Sequence, residues 1–300
     1  MKGREHHAHA PNDYNRIFAV AVALNVGFVI VEAGFGVAAH SLALLADAGH
    51  NLGDVLGLLL AWGATRLAQR KPSQRRTYGW RSSSILAAML NAGLLLVAVG
   101  GISWEAVQRF GRPGAVVGVT VIWVAAVGVV LNTATALLFV AGRKRDLNIR
   151  AAFLHMAADA AVSAGVVAAG FVMLRTGWMW LDPTVSLVIA AVILVGTWGL
   201  LRESVDLALA AVPAGIDPAA VEAYLGGLPG VTAVHDLHIW GMSTTESALT
   251  AHLVKPDPRD DDELLARACR ELHDRFGIGH ATLQWERGGQ TVPCVGACFR

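Results

Sequence analysis

Ser41 to Asp54 reads Ser-Leu-Ala-Leu-Leu-Ala-Asp-Ala-Gly-His-Asn-Leu-Gly-Asp. It opens an apolar run that continues to Leu67, long enough for a helix to cross the bilayer, which takes about 20 mostly apolar residues. Three ionisable residues interrupt it: Asp47, His50 and Asp54. Steps of three and then four residues put them on one helix face. An ionisable group inside a span costs at least about 2.5–3.5 kcal/mol, so such groups mark function by default. The composition gives the same setting. The chain has 300 residues, 54% of them hydrophobic and 16% charged, with mean hydropathy +0.49 and net charge +1. That excludes an ordinary soluble enzyme, a disordered chain and a basic nucleic-acid surface. Aromatics are only 7%, so the apolar bulk is Ala, Val, Leu and Gly, which suits close helix packing in a membrane.

Working outward, six apolar segments are predicted to span: Ile17–Ala38, Ser41–Leu67, Ser82–Val107, Val116–Gly142, Ala151–Thr176 and Asp182–Leu201. Turn-like or charged breaks separate them, such as Lys71-Pro72-Ser73 and Arg143-Lys144-Arg145-Asp146. The basic loop residues fall mainly on one side, from Lys2, Arg4 and Arg16 through Arg70 to Arg81 and Arg143 to Arg150. Arg109, Arg112 and Arg175 lie on the other. The positive-inside rule then predicts that both termini are cytoplasmic. The polar start of the chain leads straight into a full-length span, so no removable signal peptide is expected.

After Val205 the pattern changes. Asp217–Leu228 reads as a helix with Asp217 as N-cap and Pro218 at its first position. Val231–Trp240, Ser247–Val254 and His280–Glu286 read as strands, and Asp261–Phe276 as an amphipathic helix. The expectation is a membrane α-helical protein with a C-terminal αββαβ domain of the ferredoxin or metallochaperone kind, whose open sheet face invites dimerisation. The division is residues 1–15 as a His-containing tail, 16–206 as the six-helix domain, 207–287 as a regulatory and dimerisation domain, and 288–300 as a tail with Cys-x-x-x-Cys.

A second interrupted span completes the chemistry. His155 and Asp159 are four apart, as are His50 and Asp54. Two facing helices would present two imidazoles and two carboxylates, a full four-coordinate set for Zn²⁺. The two carboxylate charges balance one divalent cation, and protons balance them in its absence. Asp47, Glu32 and Asn51 are supporting polar residues in the spans. An intramembrane metalloprotease needs His-Glu-x-x-His and an open coordination position; the chain has no such motif. The expectation is therefore a transporter and not an enzyme, with a metal-gated channel or a membrane metal sensor as the alternatives.

With these motifs in place, the chain resembles the cation diffusion facilitator family and its zinc-exporting branch. The resemblance runs over Ser41 to Asp54, Tyr78-Gly79-Trp80-Arg81, Asn91, Ala92 and Glu105, His155 to Asp159, Asp182-Pro183, Val234 to Trp240, and His280-Ala281-Thr282. Ser83 and Ser84 depart from the bulkier apolar residue and Glu expected after Arg81. The resemblance implies a homodimeric antiporter in a bacterial inner membrane. It would expel Zn²⁺, with Cd²⁺ or other divalent ions as further substrates, in exchange for protons through His50, Asp54, His155 and Asp159. It also implies a cytoplasmic metal site at His235, His252 and Glu286, with Gln284 where some relatives have a third His. Cys294 and Cys298 are candidate thiolate ligands, and His6, His7 and His9 form a short histidine tract. The span 2–3 loop, Gln69–Arg81, lacks Asp and His, so no metal is expected there.

Overall fold

A computed structural model describes residues 12–111, 116–140 and 147–288. Six long helices lie where the spans are expected: α1 (Asn12–Ala38), α2 (Leu42–Ala68), α3 (Ser83–Gly111), α4 (Gly118–Phe139), α5 (Leu147–Thr176) and α6 (Leu181–Ala208). Among the described residues, four stretches are long and apolar enough to cross a membrane: Ser83–Gly111, Gly118–Leu137, Phe153–Thr176 and Leu181–Ala208; Asn25–Ala38 is a shorter apolar helix. Then come α7 (Pro218–Gly226), β1 (Ala233–Gly241), β2 (Ser247–Val254), α8 (Asp261–Phe276) and β3 (Ile278–Glu286). The predicted tails with His6, His7, His9, Cys294 and Cys298 lie outside the described residues. By contacts the chain forms two compact units. One runs to Leu58 and resumes over Gly93–Trp198; the other comprises Leu59–Ala92 and the chain from Gly199.

The first unit is held by small and β-branched residues. Ala39, Ala43, Ala46, Val121, Ala125, Val166 and Ile189 are all buried in one cluster. Small side chains let helices approach closely where apolar lipid supplies no hydrophobic drive to associate. Gly128 on α4 shows how close. A Cβ there would lie 2.8 Å from Phe28 Cζ on α1 and 3.1 Å from Ser163 Oγ on α5.

The N-terminus of α2 is fixed by a residue of α6. The first amides of a helix have no intrahelical acceptor. Leu44 N donates to Ser41 Oγ at 3.3 Å, the usual N-cap bond. Leu42 N donates to Asp182 Oδ2 at 2.8 Å, Ala43 N to Asp182 Oδ1 at 3.4 Å, and Ser41 Oγ to the same Oδ1 at 2.5 Å. Asp182 is fully buried, and its negative charge sits at the positive end of the α2 dipole. Arg109 of α3 donates to the carbonyl of His40 in the same turn.

In the second unit β1 and β2 pair antiparallel and β2 and β3 parallel, in the order β1-β2-β3. This is the αββαβ order read from the sequence, with β3 starting two residues earlier, at Ile278. Asp217 caps α7 as expected, accepting from Ala219 N at 3.0 Å. Val221 and Leu225 of α7 and Leu264, Ala268 and Leu272 of α8 bury against Ile239, Leu249, Leu253 and Ile278 of the sheet. The three serines after Arg81, of which Ser83 and Ser84 depart from the family pattern, have partners here. Ser82 Oγ donates to Met242 O at 3.2 Å, Ser83 Oγ donates to Ala64 O at 3.3 Å, and Ser84 Oγ accepts from Thr244 N at 3.1 Å. Arg81 pairs with Glu246 at 3.1 Å. The residues opening α3 thus grip the β1–β2 hairpin with small hydroxyls.

Replacing Asp182 by Ala strips the α2 terminus of three acceptor contacts. The expected cost is about 2 kcal/mol, between an ordinary cap and a hydrogen-bonded buried charge. It should appear as faster amide exchange at Leu42 and Ala43 and a lower melting temperature of the full chain, with exchange in β2 unchanged.

Candidate metal centre

α2 brings His50 and Asp54 to one face, and α5 brings His155 and Asp159 to the face opposite. The contacts are crossed as well as local. His50 Nε2 lies 3.4 Å from Asp159 Oδ1, and His155 Nε2 lies 3.1 Å from Asp54 Oδ2. Within each helix the His–Asp separations are 3.8 Å on α2 and 3.7 Å on α5. The two imidazoles stand edge to face with centroids 6.0 Å apart. All four residues picked out by the repeated spacing are therefore in one cluster. Asp159 is almost fully buried, with 2% of its side chain exposed, whereas His155 keeps 41% exposed. One wall of the cluster is sealed and the other is open to a ligand.

The donor set fits a four-coordinate ion. Ligand atoms about 2.0–2.1 Å from zinc in a tetrahedron lie about 3.3 Å from one another. The observed contacts bracket that edge, and single donor atoms of Asp54, His155 and Asp159 all fall within 4.8 Å of one another. Asp54 Oδ2 and Asp159 Oδ2 are buried without a hydrogen-bond donor among the described residues. These are the oxygens that face His155 Nε2. A buried carboxylate oxygen lacking a donor is costly unless a cation or proton meets it.

The supporting residues form a layer beside the quartet. Glu32 on α1 and Asp47 on α2 are fully buried, and Asn51 is nearly so. Asn51 Nδ2 donates to Glu32 Oε2 at 3.4 Å, and Ser163 Oγ donates to Asp47 Oδ2 at 2.9 Å. Sequence reasoning missed Ser163, although it lies four residues after Asp159 and so on the same face of α5.

A second cluster sits on the C-terminal sheet. His235 on β1 and His252 on β2 are directly paired, and Gln284 and Glu286 lie on the neighbouring β3. Glu286 bridges the two imidazoles, with Oε2 2.9 Å from His235 Nε2 and Oε1 2.8 Å from His252 Nδ1. The three offer donor atoms within 4.8 Å of one another, a set of two nitrogens and one carboxylate that fits zinc. Sequence reasoning also missed Asp236. A register shift between His235 and His238 and a positive φ of 52° at Asp236 turn its side chain toward the cluster. Its carboxylate stands 3.7 Å from His252 Nε2 and 3.1 Å from His238 Nε2. Nothing in the local sequence announces that bulge. His280 is elsewhere, in an edge-to-face contact with Tyr78 at 5.6 Å.

Residues 18–207 match the cation efflux transmembrane domain, and residues 213–288 match the cytoplasmic domain of cation efflux proteins. The chain belongs to the cation efflux family. It is a multi-pass membrane protein of a transporter family. It is 36% identical over 292 residues to the zinc transporter ZitB of Escherichia coli, covering 96% of this chain and 92% of that protein. It is 32% identical over 285 residues to the cadmium, cobalt and zinc/H(+)-K(+) antiporter of Bacillus subtilis, covering 93% and 91%. A solved structure of the metal-bound C-terminal domain of the CzcD transporter from Cupriavidus metallidurans is 38% identical over 24% of this chain and 99% of that domain, with a TM-score of 0.22.

Hydrogen bonds from His235 and His252 hold the Glu286 carboxyl below the usual carboxylate range. A group whose folded value is depressed adds stability above its unfolded value and loses it as pH falls through the folded one. The metal-free sheet should therefore weaken as pH falls below about 4, the ordinary carboxylate value. Glu286→Gln should flatten that acid-side loss. Amide exchange along β3 measured against pH checks it.

Proposed function

We propose that this cation efflux protein is a proton-coupled antiporter that exports Zn²⁺ from the cytoplasm by alternating access. Other borderline divalent ions, such as Cd²⁺, would be further substrates. The observation that carries the reading is the crossed His50–Asp159 and His155–Asp54 contact between two membrane helices. The names of the zinc transporter and the metal/H(+)-K(+) antiporter among its relatives support the substrate class and the coupling. In this reading both termini are cytoplasmic, the membrane is a bacterial inner membrane and the protein works as a homodimer. The transport domain covers residues 16–206 and the regulatory domain residues 207–287. A metal-gated pore needs weak, multi-site binding, which a single four-ligand quartet does not offer. A sensor without transport has no use for a quartet set among the spans. The protein carries out no bond-breaking chemistry.

The mechanism follows from the quartet. In the metal-free state each carboxylate is met by the imidazole of the other helix as well as its own. An arriving cation replaces the protons that stabilise those contacts, and two imidazoles with two carboxylates complete its coordination. Imidazole favours borderline ions over hard ones. Rocking to the outward state exposes the ligands to a more acidic medium. Protons return and the ion leaves. His235, His252 and Glu286 would hold a regulatory zinc ion, with Asp236 beside His252 as an outer carboxylate. Occupancy there biases the equilibrium between states.

Asp54→Ala and Asp159→Ala are each expected to abolish zinc uptake into inverted vesicles while the protein still inserts. The double variant should lose no more than either single one, because the four ligands act as a unit. Near-normal uptake by either single variant would show that the quartet is not the transport site.

His50→Asp exchanges a nitrogen for an oxygen donor and adds a negative charge. Discrimination against Mn²⁺ should fall, and the pH dependence of transport should move to lower pH as a carboxylate replaces an imidazole. Competition and pH series in proteoliposomes test this. An unchanged metal ranking together with an unchanged pH profile would mean that His50 does not touch the ion.

A further inference from the structure

The quartet and the Asp182 cap leave two fully buried carboxyl groups in the membrane helices without an assigned role, Glu32 and Asp47. Asp47 precedes His50 by three residues, about 4.5 Å along the α2 axis at 1.5 Å per residue. One oxygen of each carboxyl is held by a neutral donor, Asn51 for Glu32 and Ser163 for Asp47. The other oxygens, Glu32 Oε1 and Asp47 Oδ1, receive no N–H or O–H among the described residues. Asn51, which holds Glu32, lies four residues after Asp47 on the same face of α2, and this sets the two carboxyls side by side within hydrogen-bonding reach of each other.

Two ionised carboxylates cannot make that contact, because both are acceptors only. A single proton between them turns repulsion into a hydrogen bond. Among the described residues no basic side chain is placed to do the same for Glu32. α4, which packs against α1, has no ionisable residue over Gly118–Phe139. From α2 the charged neighbours are Asp47 itself and His50, and from α5 Asp159 beyond the neutral Ser163. The polar partners of Glu32 among the described residues are Asp47 and Asn51, and none of them belongs to the quartet.

We propose that Glu32, paired with Asp47, is a proton-binding site separate from the metal quartet, and that it gives up its proton when a divalent cation enters the quartet. The proposal rests on the reading of the quartet as the cation site. The cation brings two positive charges about one helical turn away from the pair, in surroundings of low dielectric. That field favours the pair with both carboxylates ionised. The cation binds to the quartet, the shared proton leaves to solution, and no bond forms between the pair and the cation. When the cation departs, a proton returns to the pair. Each transport cycle then carries one proton that the imidazoles do not account for. Asn51 ties the two sites, since it holds Glu32 and follows His50 in the chain.

The test is a count of protons released per zinc bound, read with a pH indicator in weakly buffered detergent solution. It uses the full chain carrying His235→Ala and His252→Ala, so that zinc at the sheet site is not counted, and the Asp159→Ala variant gives the share that belongs to the membrane helices. Adding Glu32→Gln should leave zinc per chain unchanged and release about one proton fewer per zinc, because the amide mimics the protonated acid without titrating. Asp47→Asn should have the same effect, and the two together no more than either. If one variant does not fold, the other carries the measurement. A proton count equal to the parent's, with zinc bound, overturns the proposal. A parent that binds no zinc, or an Asp159→Ala variant that binds it undiminished, removes the quartet reading and this proposal with it.

Discussion

Charge in a low-dielectric setting has to be met by charge, and the membrane helices are arranged around that requirement. Asp54 on α2 and Asp159 on α5 are each within ion-pair distance of both His50 and His155. The imidazole four residues away on the same helix stands farther off, at 3.8 Å on α2 and 3.7 Å on α5. The facing helix supplies the closer partner, at 3.1 and 3.4 Å. That contact requires α2 and α5 to face each other at close range. Ala43 and Ala46 of α2, buried in one cluster with Val166 of α5, and the Asp182 cap that fixes the start of α2, serve that approach.

The fold was largely legible because its determinants are periodic. Apolar runs located six helices, although α6 continues seven residues past the expected Leu201 to Ala208, and alternation located the strands. The quartet was legible for a similar reason. Spacings of four residues project onto one face, and two such pairs inside apolar runs are too costly to stand there uncompensated. What could not be read depends on partners distant in the chain. Asp182 looks like a turn residue beside Pro183, yet it caps a helix that begins 140 residues earlier. Ser82 and Ser84 look unremarkable or out of pattern, yet their small hydroxyls meet the backbone of the β1–β2 hairpin. Asp236 sits in a strand whose plain alternation would not turn it toward His252. Only the bulge and its left-handed φ do so.

The C-terminal sheet solves a smaller version of the same electrostatic problem with different means. Here the strand register does the positioning. His235 and His252 are cross-strand partners, and Glu286 follows on β3 two residues after the partner of His252. Residues two apart on a strand share a face, so Glu286 reaches both imidazoles from one side. The site is partly exposed, and water shares in its solvation. Burial is not what makes it specific. Its geometry comes from a sheet whose other face is packed on α7 and α8, and this leaves the imidazoles with little freedom to reorganise before a ligand arrives.

In the proposed reading the protein must also release what the quartet binds, and the crossed contacts bear on that. An ion entering the quartet does not find four free ligands. It has to displace the His–Asp contacts the carboxylates already make, so its net affinity is the difference between two partly compensated states. A hard cation bonds strongly to the two carboxylates but gains little from the imidazoles, and the loss of the crossed pairs is not offset. A borderline cation gains from all four ligands and prevails. Selectivity and reversibility then have one origin. The contacts that keep the empty site stable set a threshold that only an ion suited to both donor types exceeds, and they re-form to complete its release.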